Sequence, residues 1–206
     1  MSQLKLTYFD IHGGRAEPAR LALHLGGIAF EDSRFGFANF AEVRKSTPLN
    51  QVPVLHVDGV QVTQSDAITR YVGKLAGLYP VDAYQALLCD EVLDAVEDVN
   101  IKLGTTFGLT GDALKDARTA LVNGALPQYL GWLQTQLQAH GGEYFADQRL
   151  TIADLKVFVM VRGLTSGRLD HVPTDLVDKV GPLLAAHTQR IAQTPAIAQY
   201  YAQFGV

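Results

Sequence analysis

Leu4-Lys5-Leu6-Thr7-Tyr8-Phe9-Asp10-Ile11-His12-Gly13-Gly14-Arg15-Ala16-Glu17 is the stretch that decides the fold. Residues 5–9 alternate polar and apolar, the period of a strand with one covered face. Gly13-Gly14 breaks that pattern. From 15 to 25 the apolar Ala19, Ala22, Leu23 and Leu25 return at helical spacing, and Pro18 is tolerated because it falls in the first turn. Gly26-Gly27 ends this helix. Tyr8 therefore stands at the end of a strand and just ahead of a helix N-terminus. Backbone donors and the positive end of the helix dipole favour an anion there.

Working outward, 28–35 reads as a second strand and 37–46 as a polar loop with a short helix. Val54-Leu55-His56-Val57, Asp58-Gly59 and Val60-Gln61-Val62-Thr63 form a hairpin, since Asp-Gly is a strong two-residue turn. Ser65 is expected to cap a helix over 66–76. The order is β-α-β-α-β-β-α. Beyond a linker at 78–83 the character changes. Leu87, Leu88, Val92, Leu93, Val96 and Val99 recur at helical spacing over 83–109. A second long helix is expected over 112–139, bent near Pro127. Thr151-Ile152-Ala153-Asp154 is a capping-box-like start, with Leu150 and Leu155 placed for a hydrophobic staple, and it opens a buried helix over 152–163. Two shorter helices at 175–179 and 182–192 finish the chain. The reading is an α/β domain over 1–77 and an all-helical domain over 84–206.

The 206 residues suffice for one large domain or two small ones. A hydrophobic fraction of 48%, a charged fraction of 18% and a net charge of −4 describe a globular protein without the basic stripe of a nucleic-acid binder. The single cysteine, Cys89, excludes an internal disulfide and a CxxC redox pair. No apolar leader and no run of about 20 apolar residues is seen. The expectation is a cytoplasmic protein with neither nucleic-acid nor membrane partners.

Three pieces carry a resemblance: the strand running into Gly13-Gly14-Arg15-Ala16-Glu17, then Gln51-Val52-Pro53, then Gln64-Ser65-Asp66-Ala67. In this order and spacing they resemble the glutathione site of the cytosolic glutathione S-transferases of the tyrosine type, most like the sigma class. The resemblance implies a thioredoxin-like N-terminal domain followed by an all-α domain. It implies an enzyme with glutathione as co-substrate and no metal. Tyr8 would donate a hydrogen bond to the glutathione thiolate, and Arg15 would reinforce the field around it. A free thiol has a pKa of about 8.5, so such stabilisation supplies the nucleophile at neutral pH.

The same resemblance makes Val52-Pro53 a cis bond beside which the Val52 backbone pairs with the tripeptide. It gives Gln64 and Ser65 the γ-glutamyl carboxylate, and Phe40, Arg44 and Gln51 the glycyl end. Asp98 would reach the site of a neighbouring subunit, which implies a homodimer. Phe9, His12, Gly14, Asn100, Thr105, Met160 and Phe204 would line the electrophile pocket, which in such folds lies between the domains. The implied chemistry is conjugation of glutathione to small apolar electrophiles, with reduction of organic hydroperoxides as a second activity. Prostaglandin-isomerising members carry a tryptophan and a tyrosine where this chain has Thr105 and Lys156, which argues against that specialisation.

Plainer readings stand beside these. Tyr8 alone is a half-buried strand tyrosine, Arg15 a solvated arginine, and Asp98 one of an acidic face with Glu91, Asp94 and Glu97. A non-catalytic ligand-binding or structural protein on the same fold is the alternative function. A thiol–disulfide oxidoreductase is disfavoured because no cysteine lies near Tyr8.

Overall fold

The computed structural model describes residues 2–205. Internal contacts divide the chain into two compact units, one made of the chain up to Tyr79 together with the stretch from Pro195 onward, the other of Pro80–Thr194.

In the first unit, strand β1 (Leu4–Phe9) buries Leu4, Leu6 and Tyr8 on one face and leaves Lys5, Thr7 and Phe9 half-covered on the other. Helix α1 (Glu17–Leu25) is buried along nearly its whole length, charged Glu17 and Arg20 included. Strand β2 (Glu31–Phe35) follows, then a 3-10 turn at Phe37–Asn39 and the single-turn helix α2 (Phe40–Val43). Strands β3 (Val54–Val57) and β4 (Val60–Val62) form the hairpin, with Asp58 and Gly59 at φ 50° and 87°, the positive values that a two-residue turn of this kind needs. Helix α3 (Ser65–Leu75) buries Ser65, Ile68, Thr69, Val72 and Gly73, a stripe of helical period.

The strand order is β2-β1-β3-β4, with β1–β2 parallel and the other pairs antiparallel. This is the thioredoxin-like arrangement read from the sequence. Helix α1 packs on α3 and on helix α10 (Pro195–Ala202). Leu6, Leu21, Leu23, Leu55 and Ile68 are almost wholly enclosed, each contributing about 1.5–3 kcal/mol by burial.

The second unit is helical: α4 (Ala83–Gly104), α5 (Gly111–Val122), α6 (Ala125–Ala139), α7 (Ile152–Thr165), α8 (Leu176–Val180) and α9 (Pro182–Ala192). The Asp82 carboxylate accepts from the N–H groups of Tyr84 and Gln85 at 3.0 and 2.9 Å and starts α4. Helix α7 is buried almost all round and is the core against which α4 and α9 pack. Its capping box is formed: Asp154 accepts from the Thr151 N–H at 2.8 Å. The same carboxylate accepts from the Phe145 N–H and meets His187 Nε2 at 3.0 Å. Buried Cys89 has its thiol pushed up to about 12 by burial, so it is an inert core residue.

Several boundaries differ from the sequence reading. Helix α1 begins at Glu17, so Arg15 precedes it. Ser65 is the first residue of α3 and Gln64, at φ 76°, occupies the cap position. The expected 112–139 helix is two helices, because Gly124 takes a non-helical φ −133°, ψ −93°, and Pro127 falls harmlessly in the first turn of α6. Helix α10, unforeseen, follows Thr194-Pro195. Pro195 sits at the start of α10, where no N–H is needed.

Candidate functional site

The strand register gathers the N-terminal candidate residues at one end of the sheet. Thr7 pairs with Val54, so Tyr8 lies level with the residue before β3, which is Pro53. Phe9 pairs with Phe35, which places the end of β2 and the Phe40-to-Gln51 excursion at that same end. Leu55 pairs with Val62, so β4 delivers Gln64 and Ser65 there as well. The Val52–Pro53 peptide is cis.

Tyr8 is buried, and its hydroxyl oxygen accepts the Arg15 backbone N–H at 3.1 Å. A hydroxyl that accepts in this way is also a stronger donor. Gly14 makes this approach possible. It has φ +68°, and a Cβ there would fall 2.7 Å from the Tyr8 oxygen. Gly14→Ala is therefore expected to push the phenol aside and to cost about 1–2 kcal/mol for the left-handed backbone. Thermal melts and glutathione turnover should both fall, and wild-type turnover in Gly14→Ala would refute the close packing. Arg15 thus touches Tyr8 with its backbone N–H, from a position ahead of the helix.

A charged cluster that the sequence reading missed fixes this turn. Fully buried Arg20 donates to Ile11 O at 3.0 Å, Phe9 O at 3.3 Å, Glu17 Oε2 at 3.3 Å and Asp32 Oδ1 at 3.0 Å. Arg34 donates to Asp32 Oδ2 at 2.7 Å, to Ile11 O at 3.4 Å and to the Tyr200 hydroxyl at 3.4 Å. Burial pulls Arg34 down, but the Asp32 hydrogen bond and charge leave it above its ordinary value. A usable signal existed: Glu17 and Arg20 lie three apart in a helix otherwise made of Pro, Ala, Leu and one His, where charges must pair to be buried.

On the half-covered sheet face, Phe9 meets Phe35, Phe37 and Phe40 at ring centroid distances of 4.9, 4.7 and 5.1 Å. This small aromatic core seats the excursion that carries Arg44, whose guanidinium lies 5.4 Å from the Phe40 ring centroid. Gln51 is exposed and Val52 half-buried. His12 lies against Phe204 at 4.2 Å.

Asp98, Asn100, Thr105 and Met160 belong to the second unit. Asp98 accepts from the Tyr129 hydroxyl at 2.9 Å. Asn100 donates to Glu97 Oε2 at 3.2 Å, and buried Lys156 pairs with the same oxygen at 3.2 Å. The exposed Thr105 hydroxyl donates to Lys102 O at 2.7 Å, and Met160 is buried. Among the described residues, no group of three or more His, Cys, Asp or Glu side chains is placed to hold a metal, and no helix is long and apolar enough to cross a membrane.

The arrangement sets a buried phenol at the sheet end, just ahead of a helix N-terminus. The glutathione S-transferase N-terminal domain model matches residues 4–74, and the C-terminal domain model matches residues 97–203. Glutathione S-transferase 3 of Caenorhabditis elegans is 30% identical over 98% of this chain and 97% of its own length. Hematopoietic prostaglandin D synthase of Gallus gallus is 32% identical over 97% and 96%. Among solved structures, prostaglandin synthase D of Nilaparvata lugens superposes with a TM-score of 0.86 at 30% identity, covering 97% of each chain. The chain belongs to the glutathione S-transferase family, and it is an enzyme of that family with glutathione as co-substrate.

Proposed function

We propose that this protein ionises the glutathione thiol through Tyr8 and adds the sulfur to small apolar electrophiles, in the manner of the sigma class. The observation that carries the reading is the Arg15 N–H bond to the Tyr8 oxygen, which polarises the phenol as a donor suited to a sulfur anion. Gln64, Ser65 and the N-terminus of α3 receive the γ-glutamyl carboxylate. The Val52 backbone pairs with the cysteinyl residue as an added strand would. Arg44 and Gln51, with Phe40 beneath Arg44, receive the glycyl end. Phe9, His12, Gly14 and Phe204 line the electrophile side in the first unit. The same thiolate reduces organic hydroperoxides, and the enzyme acts in the cytoplasm.

The enzyme works as a homodimer, a reading supported by the exposed apolar residues of the first unit. The edge strand β4 turns Val60 and Val62 to solvent, and Leu49, Tyr71 and Leu75 are exposed as well. Such surface favours association. Asp98 meets the γ-glutamyl amine of the neighbouring subunit's ligand. Asp98→Ala is then expected to weaken glutathione binding about tenfold, the loss of one charged hydrogen bond. Tyr129→Phe, which keeps the acid, should bind normally. Equal affinity in Asp98→Ala and wild type would confine Asp98 to its bond with Tyr129.

The reading as a whole is tested by conjugation of glutathione to chlorodinitrobenzene, run beside a binding titration. Binding with turnover is expected. Binding without turnover of this substrate or of a hydroperoxide would favour the carrier alternative, and absence of binding would refute the site.

A further inference from the structure

Two buried polar atoms of the first unit face each other without hydrogen-bond partners: His12 Nδ1 and Glu17 Oε1, 3.9 Å apart. Buried polar atoms are nearly always paired, so two orphans side by side call for an explanation. Both side chains are held in place. Glu17 is wholly buried, with its other oxygen on Arg20. The backbone entering His12 is fixed by Arg20 and Arg34, which both donate to Ile11 O. The imidazole rests against Phe204 at 4.2 Å, with Tyr200 and Tyr201 at 6.4 and 6.5 Å. Its side chain keeps 18% of its surface open, and with Nδ1 turned inward, Nε2 is the nitrogen that faces outward. His12 also opens the turn whose Gly14 touches the Tyr8 oxygen, and two residues of chain span at most about 7 Å.

We propose that His12 and Glu17 form a proton-accepting pair that removes the thiol proton of glutathione, with His12 receiving it through one water at Nε2 and Glu17 accepting from Nδ1. The proposal rests on the glutathione reading above. The S–H bond breaks and its electron pair stays on sulfur, while an Nε2–H bond forms. The Nδ1 proton passes to Glu17 Oε1, leaving a thiolate, a neutral imidazole and a carboxylic acid. After the product departs, the reverse hand-over returns the proton to water at Nε2. Tyr8 then stabilises the anion, and His12 takes away what the anion has lost.

The surroundings suit the pair. Around His12 stand Glu17 and Arg20 from α1, Asp10 from the turn, Asp32 and Arg34 from β2, and Tyr200 and Tyr201 from α10. Burial, then Arg34 and Arg20, hold His12 below its ordinary value, so its imidazole is neutral and able to accept at neutral pH. Burial holds Glu17 above its ordinary value, outweighing Arg20, Arg34 and a hydrogen bond from the Tyr201 hydroxyl. The two shifts run toward each other, the direction that eases proton transfer between the groups.

The test uses two variants. His12→Phe keeps a ring against Phe204 but removes both nitrogens. Its glutathione affinity should match wild type, while chlorodinitrobenzene turnover at neutral pH falls about 100-fold, the loss shrinking as rising pH ionises the thiol unaided. In His12→Ala, added imidazole should restore part of the lost rate. A His12→Phe pH profile overlying wild type, or a His12→Ala rate unmoved by imidazole, overturns the pair. A wild-type enzyme that fails to bind glutathione overturns instead the reading beneath it, and the pair with it.

Discussion

Tyr8→Phe is expected to lower turnover about 100-fold, the cost of removing one preorganised donor to a developing anion, while glutathione affinity stays close to wild type. The hydroxyl sits at 3.1 Å from the Arg15 N–H and makes its gain only with the ionised sulfur. Its loss therefore weakens the thiolate state and not the tripeptide's other contacts. Titration of bound glutathione by thiolate absorbance should show the thiol ionising at higher pH in the variant. A thiol that ionises as in wild type would remove Tyr8 from its assigned role. Phe fills the same space, so the fold is expected to survive with its melting temperature nearly intact.

Arg20→Met carries the largest effect on stability. Removing one member of a buried charged cluster costs about 3–5 kcal/mol, because the remaining charges lose their partner. Here Glu17 would be left wholly buried, and two carbonyls, Ile11 O and Phe9 O, would each lose a donor. Urea unfolding at one fixed protein concentration should show the loss. A decrease below about 1 kcal/mol, the worth of an exposed ion pair, would contradict the cluster's structural role. Adding Glu17→Gln to Arg20→Met should recover part of the loss by removing the orphaned charge, and the pair should be non-additive.

The sequence revealed the sheet and the phenol because both obey short-range rules. Alternation in Leu4-Lys5-Leu6-Thr7-Tyr8-Phe9 set the strand, and Asp58-Gly59 set the hairpin. The Thr151–Asp154 capping box likewise announced α7. What escaped depended on tertiary context. No local rule says that the Arg15 backbone would meet the phenol, since that follows from the positive φ of Gly14 and the nearness of Tyr8. Glu17 is the one partner of Arg20 that the chain beside it advertises; the others, Phe9 O, Ile11 O and Asp32, come from β1, the turn after it and β2. Helix α10 was hidden behind Pro195, which reads as a breaker until it is seen to occupy a helix start. The continuous helix expected over 112–139 failed at Gly124, where a single unconstrained residue outweighed periodic apolar flanks.

The return of α10 to the first unit has a consequence for how the protein is made. A ribosome releases β1 through α3 early, but the helix that covers α1, and the Tyr200 hydroxyl that meets Arg34, emerge only after the whole second unit has been synthesised. Until then the nascent segment carries an uncovered flank of α1, apolar and marginal, and waits for its last piece. Cutting the gene after Tyr79 would reproduce that waiting state permanently. The thioredoxin-like half of this molecule is contiguous in space but not in time.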